Sequence, residues 1–351
     1  MMAEICIELT PASRFDIIDV NQRILSENAD FIAENNKAFY CSYHTTAGYL
    51  EQSICDRLNH NSDSVRSFIH PFQELFPPRA NYNHDKLHLR SELTEEQKLS
   101  EPLNGDSHLT YISSGLQNCV TYVLDKTKPA YFIDLDGVYD GNARRRRTTV
   151  IGYNQEELVG IFPLTIPVSS HRVDSVNLKD ARLGVFEQLQ ELITKYGIQR
   201  GRVDITLAPE EDHVALTVNE FETLLMQNDL ADVLHNPMRF MAQKGWHMLK
   251  NPRAVPMKML NYAKYDLVHV VNRTLDKFQM NSSLVGRGIQ SVLAAQAAKA
   301  LRMKRSLSML VNEEQGQPSI VSGTYQSPIM IQWHSARAQS RRLEASIYRF
   351  I

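Results

Sequence analysis

The chain is short of cysteine, of long apolar runs and of any large excess of one charge, and each shortage closes off a class of protein. Only four cysteines stand in 351 residues. Cys6, Cys41, Cys55 and Cys119 show no CxxC spacing, so they read as reduced, packed thiols of a cytoplasmic protein. A disulfide framework and a zinc knuckle are both set aside by that spacing. The longest apolar stretch, LVGIFPLTIPV, is interrupted by two prolines and is too short to span a bilayer. MMAEICIELTPAS has an early acid and no apolar core, so no signal peptide is expected there. No Walker loop, GxGxxG or Ser-His-Asp signature occurs, and GRGIQ lacks the preceding strand that a phosphate loop needs.

What is present is an ordinary globular composition, 43% hydrophobic and 22% charged, in a chain long enough to favour two domains. The formal net charge of −2 hides an uneven distribution: 13 Lys/Arg and 5 Asp/Glu lie between Phe221 and Asn312, with nine of the twelve methionines. Such a basic, Met-rich stretch suits an anionic partner, another subunit, or a solvated helical insertion.

The chain reads as strands broken by turns, with few long helices, which predicts an α+β fold with mostly antiparallel sheets. KAFYCSYH predicts a strand with Phe39, Cys41 and Tyr43 on one face; HLTYISS, CVTYVL and AYFIDLDG read as further strands. Asn21 is a candidate N-cap for a helix carrying Ile24, Leu25, Phe31 and Ile32. NLKDARLGVFEQLQELITKYG predicts the clearest helix, capped by Asn177 and stopped at Gly197.

The order of these pieces repeats. Asp16 of RFD matches Asp174 of RVD, Gly48 matches Ala215, and Ile133 of FIDLD matches Ile331 of MIQWH, with Arg144 then falling on Arg342. A tandem duplication is expected, with repeats at 1–160 and 161–351 and a helical, basic insertion at about 221–312.

Three histidines stand among small or hydrogen-bonding residues: His44 in HTTAG, His84 in NYNHD and His108 in NGDSHL. Converging imidazoles would make an open site for a borderline divalent ion, with Asp85 and Asp106 near enough in sequence to fix the ring tautomers. Their spacing fits three ordinary surface or capping histidines as well. Arg144 to Arg147 could clamp phosphate, or open a strand whose alternate arginines face solvent.

FDIID, HTTAG, YNHD, NGDSHL, LDG and RRRR of the first half resemble, in order, the motifs of the YjbQ-type family, described as secondary thiamine-phosphate synthases. The second half resembles it through RVDITLAPEEDHVALTVNE and SGTYQSPIMIQ. Copy one lacks the Asn-Glu pair and the GTWQ element; copy two keeps Asn219, Glu220 and Gly323-Thr324-Tyr325-Gln326 but has Glu211 where His44 would stand. The resemblance implies two tandem α/β sandwich repeats and one composite site. His44, His84 and His108 would hold the metal, and Glu220, Asn219, Gln326 and Asp85 would be catalytic. Thr45, Thr46, Asn104, Arg144 and Arg146 would bind substrate or phosphate.

It further implies a transferase joining a pyrimidine diphosphate to a thiazole phosphate, in a trimer-like homo-oligomer. Three imidazoles suit zinc, iron or nickel, whereas pyrophosphate-leaving chemistry usually uses magnesium on carboxylates. The expected function is therefore a metal-dependent enzyme on a phosphorylated or other anionic small metabolite. The alternative is a non-catalytic ligand- or nucleic-acid-binding protein on the same scaffold. Because the sister position holds Glu211, His44 is expected to serve a site rather than the fold.

Overall fold

The computed structural model describes residues 3–235, 240, 301–314 and 316–351; the core of the expected basic insertion, 241–300, lies outside them. In the first half the elements run β1 (Ala3–Leu9), β2 (Asp16–Asp19), α1 (Val20–Glu27), α2 (Phe31–Glu34), β3 (Lys37–Ser42), β4 (Ala47–Gly48), α3 (Gln52–Arg57), α4 (Ser62–Leu75), α5 (Glu95–Ser100), α6 (Gly105–Ser114), β5 (Cys119–Val123), β6 (Tyr131–Asp134), β7 (Val138–Tyr139), β8 (Asn142–Ala143) and β9 (Arg146–Tyr153). The second half continues β10 (Glu156–Pro167), β11 (Asp174–Asn177), α7 (Val185–Lys195), β12 (Gly201–Leu207), β13 (Val214–Asn219), α8 (Leu230–His235), β14 (Ser306–Glu314), β15 (Gln317–Val321), β16 (Ser327–Gln332) and β17 (Ser340–Phe350).

The fold is α+β, and every strand pair among the described residues is antiparallel. The same strand order occurs twice. The first half gives β1-β9-β3-β5 and β2-β6-β4; the second gives β10-β17-β12-β14-β15 and β11-β16-β13. The residues matched from sequence fall in equivalent register. Ile133 lies opposite Ile17 and Gly48, as Ile331 lies opposite Ser175 and Ala215. Asp16 accepts the N–H groups of Ala12 (2.7 Å) and Ile17 (2.9 Å), and Asp174 accepts those of Ser169 and Ser175 (both 2.9 Å). A short acceptor at a strand start satisfies two donors that no ladder reaches.

Each large sheet buries one face under its own helices and the other against its sister. Val203, Ile205, Leu307 and Met309 meet Leu189 and Ile193 of α7 in one core; Ala38, Tyr40 and Val150 meet Val20 and Ile24 of α1 in another. Between the sheets Phe39, Cys41, Cys119, Ile151 and Tyr153 pack on Leu310, Val321 and Phe350. That is why β3 and β9 are buried along nearly their whole length: both faces are covered.

Three local expectations are corrected. HLTYISS is helix α6, not strand; nearly every residue of it is buried, and an apolar run covered all round carries no period to tell the two apart. Asp19, not Asn21, caps α1, accepting Gln22 N–H at 3.1 Å, while buried Asn21 accepts from Tyr40 Oη at 2.6 Å. Asn177 ends β11, and α7 begins after Gly184, whose φ of 64° no β-branched residue would hold comfortably.

The described residues form two compact units. One comprises 3–70, 111–221 and 303–351; the other comprises 71–110, 222–235, 240, 301 and 302. No helix among the described residues is long and apolar enough to cross a membrane.

Candidate functional site

In the smaller unit, His84 follows the YN turn and His108 sits in the first turns of α6, both buried. Their rings meet edge to face with centroids 4.9 Å apart, and each offers a ring nitrogen within 4.8 Å of the other. His84 Nδ1 lies 3.0 Å from Glu222 Oε2, and Nε2 lies 3.2 Å from Asn104 Oδ1. With Nδ1 donating to Glu222, the neutral ring keeps its lone pair on Nε2, free for a ligand; Asn104 Oδ1 is itself an acceptor and takes a hydrogen only from a doubly protonated ring.

The chain around this pair is held unusually firmly by carboxylates. Asp229 accepts Asn83 N–H (2.9 Å), Asn83 Nδ2 (3.1 Å) and His84 N–H (2.8 Å). Glu222 accepts Leu224 N–H at 2.6 Å and Leu225 N–H at 2.8 Å besides the imidazole. Burial pushes the Glu222 carboxyl up, but the imidazole and two N–H groups outweigh it and hold it below its ordinary value. Between these two acids runs a one-turn π-helix, Leu224–Asp229, a rare geometry that recurs at functional sites. Asp85, expected to be catalytic or to orient a histidine, has its Oδ1 on the N–H of Gly105 at 2.9 Å, at the start of α6. Asp106 is buried in the first turn of that helix.

Sequence reasoning passed over Glu222 and Asp229. The signal was small: NEFE places a second acid two residues beyond Glu220, but nothing in the sequence ties it to a loop 138 residues away.

The HTTAG stretch lies in the larger unit, just past the end of β3. His44 Nε2 accepts the backbone N–H of Arg147 at 2.8 Å. A neutral imidazole has one nitrogen lone pair, so this bond puts the proton on Nδ1 and leaves no donor atom for a metal. Burial, then the charges of Arg146, Arg144 and Arg147, lower the His44 pKa to about 3. Of the three expected ligands, His84 and His108 are brought ring to ring, while His44 is engaged by the Arg147 backbone.

The sister loop shows what His44 does instead. Glu211 Oε1 accepts the N–H of Arg342 at 2.9 Å, and Arg342 occupies in β17 the place of Arg147 in β9. Imidazole and carboxylate perform one task, fastening a strand-end loop to the next strand. The pairing of Arg144 with Arg342 is corrected by three positions accordingly.

Arg146 is likewise occupied. Its Nε and Nη2 bind Asp134 Oδ2 (2.6 Å) and Oδ1 (2.8 Å), and Nη2 also reaches Asp136 O at 2.8 Å and Thr46 Oγ1 at 3.5 Å. Its counterpart Arg341 donates to Gln332, which holds the position of Asp134, and to Glu211. Burial raises the Asp134 carboxyl even against the Arg146 charge, the mark of an ion pair removed from water. Of the expected phosphate ligands Arg144 remains half-exposed, paired with Asp136.

Asn219 and Gln326, expected to be catalytic, grip the backbone of the loop. Gln326 Nε2 donates to Ser42 O (2.9 Å) and His44 O (2.8 Å), and Asn219 Nδ2 donates to Thr45 O at 2.9 Å. Gly323 permits this approach, since a Cβ there would lie 2.0 Å from Tyr43 O. Thr46 is buried, its carbonyl accepting Leu135 N–H, and Glu220 lies one residue past β13. The two halves of the larger unit combine through these backbone grips.

No family model matches the chain, and no curated protein matches it. Solved structures similar to it include a YbjQ-like protein of unknown function from Sulfolobus solfataricus P2, 15% identical, with 56% of this chain and 99% of that one covered at a TM-score of 0.31. A hypothetical protein from Aeropyrum pernix K1 is 13% identical, with 55% and 98% covered and a TM-score of 0.29. An uncharacterised conserved protein of the YjbQ family from Clostridium acetobutylicum is 10% identical, with 54% and 99% covered and a TM-score of 0.23.

Proposed function

We propose that the chain is a metal-dependent enzyme acting on a phosphorylated or other anionic small metabolite, built from two tandem YjbQ-type repeats, and working as a cytoplasmic homo-oligomer. The observation that carries this reading is the buried His84–His108 pair with Glu222 behind the His84 ring. Two imidazoles backed by a carboxylate are a donor set for zinc, iron or nickel, and a poor one for magnesium. Bound there, such an ion would act as a Lewis acid toward negative charge developing on the substrate.

The chain's own residues have definite parts in this proposal. Glu222 sets the His84 tautomer and leaves Nε2 for the ion, Asp229 fixes the backbone that presents it, and Asn104 lies beside that nitrogen. Arg144 is proposed for the anion, and the repeated strand order with matched Asp16 and Asp174 supports the duplication.

The test is metal analysis of untagged full-length protein with His84→Ala and His108→Ala variants. Stoichiometric metal lost in both variants is expected. A wild-type protein without bound metal after exposure to zinc, iron and nickel, or variants that retain it, would overturn the reading.

A further inference from the structure

The surface between the two large sheets is divided. One part is the apolar cluster around Phe39 and Phe350. Beside it lies a cavity of about 200 Å3 lined almost wholly by polar side chains, among them Glu51, Thr121, Arg202, Asp204, Ser306 and Ser308.

The strand register builds it. Asp204 lies opposite Ser308 and Thr206 opposite Ser306 in the β12–β14 ladder, so these residues share one face with Arg202. The alternate residues Val203, Ile205, Leu307 and Met309 point into the core on the other side. A strand face covered by a second sheet ordinarily carries apolar residues. Here four polar positions interrupt that pattern.

The charges on this wall are closed among themselves. Arg202 bonds Asp204 Oδ2 through Nε at 2.9 Å and pairs with Glu156, which Lys37 also meets at 3.1 Å. Asp204 Oδ1 accepts from Ser308 Oγ at 2.7 Å. Glu51 Oε1 is paired with Lys304 at 3.1 Å and accepts from Gln117 at 3.0 Å. An ionic ligand would therefore add an uncompensated charge to a half-buried wall. Hydrogen-bonding capacity, by contrast, is left over. Among the described residues Arg202 Nη2, Glu51 Oε2 and the Ser306 hydroxyl make no protein hydrogen bond, while the Arg202 guanidinium face lies 4.0 Å over the Tyr348 ring.

We propose that this cavity binds a small uncharged polyhydroxyl compound, of triol to pentose size. Each ligand hydroxyl both donates and accepts, which suits a wall offering donors at Arg202, acceptors at Glu51 and Asp204, and serine groups able to do either. The volume would otherwise hold about six waters at ~30 Å3 each. That is room for such a compound, not for a nucleotide.

Saturation-transfer NMR on the full chain, with ribose and glycerol as probes and ribose 5-phosphate as the charged comparison, tests this. Ser306→Met fills the cavity from its least engaged side chain. Ribose or glycerol binding to wild type that weakens at least about tenfold in Ser306→Met, with ribose 5-phosphate insensitive to the substitution, is the expected result. If Ser306→Met does not fold, Glu51→Gln replaces the acceptor oxygen at constant shape and is expected to weaken binding about as much. Absence of transfer from both neutral probes, equal binding by the variant that folds, or a phosphate probe with the same Ser306 dependence overturns the proposal.

Discussion

The loop after β3 and the loop after β12 close in the same way with different chemistry. His44 takes the N–H of Arg147 and Glu211 takes that of Arg342, each from the strand beside it. The surroundings differ. The imidazole is held neutral, with its pKa lowered to about 3, whereas Glu211 faces the Arg341 guanidinium at 2.9 Å. A histidine in a motif can therefore be a hydrogen-bond acceptor first, and the loop in the equivalent place of the second half is the comparison that reveals it.

The largest effect expected comes from separating the matched arginines. Arg146→Met strands a buried Asp134 carboxylate and should cost about 3–5 kcal/mol in urea unfolding. Arg341→Met leaves neutral Gln332 and a buried Glu211 that keeps the Arg342 N–H, so about half that loss is expected. Equal losses would show that the two pairs are energetically alike despite their chemistry.

Next comes the grip on the first loop. Gly323→Ala pushes a methyl group into the Tyr43 carbonyl and should lower stability by about 1–3 kcal/mol, read from the thermal midpoint. A smaller change would mean that the loop yields without cost.

His44 itself separates structure from metal binding. His44→Ala should cost about 1–2 kcal/mol, and His44→Gln, which keeps an acceptor, less than about 1 kcal/mol. Metal content in both is expected to match wild type. Its loss in His44→Gln would return the histidine to the ligand set.

The last effect is absent at neutral pH and appears only on acidification. The folded His44 pKa of about 3 lies below the ordinary value of 6.5, so the unfolded chain takes up the proton first. Stability then falls by up to about 1.4 kcal/mol per pH unit as pH drops from 6.5 toward 3, and is unaffected above that window. The difference between wild type and His44→Gln should carry this slope; parallel profiles would refute it.

Much of the strand order was legible, because each large sheet shows its own helices a regular apolar face. Matching Ile133 to Ile331 and Gly48 to Ala215 placed the repeated ladders in register. The helix at HLTYISS was not legible, since its nearly complete burial removes the period that distinguishes helix from strand. Of the site, His84 and His108 were visible as candidates, but Glu222 was not: a carboxylate's partner across 138 residues is fixed by the path of the chain between them.

The sequence by itself determined the α+β class, the repeated order of strands and the absence among its patterns of a phosphate loop or a membrane-length apolar run. These follow from short-range periodicity and turn chemistry, which act within a few residues. Only the tertiary structure decided that His44 accepts a backbone N–H, that Arg146 is locked to Asp134, and that Asn219 and Gln326 hold carbonyl groups. Each of these side chains carries several hydrogen-bonding options, and which one it uses depends on the buried group that most needs a partner.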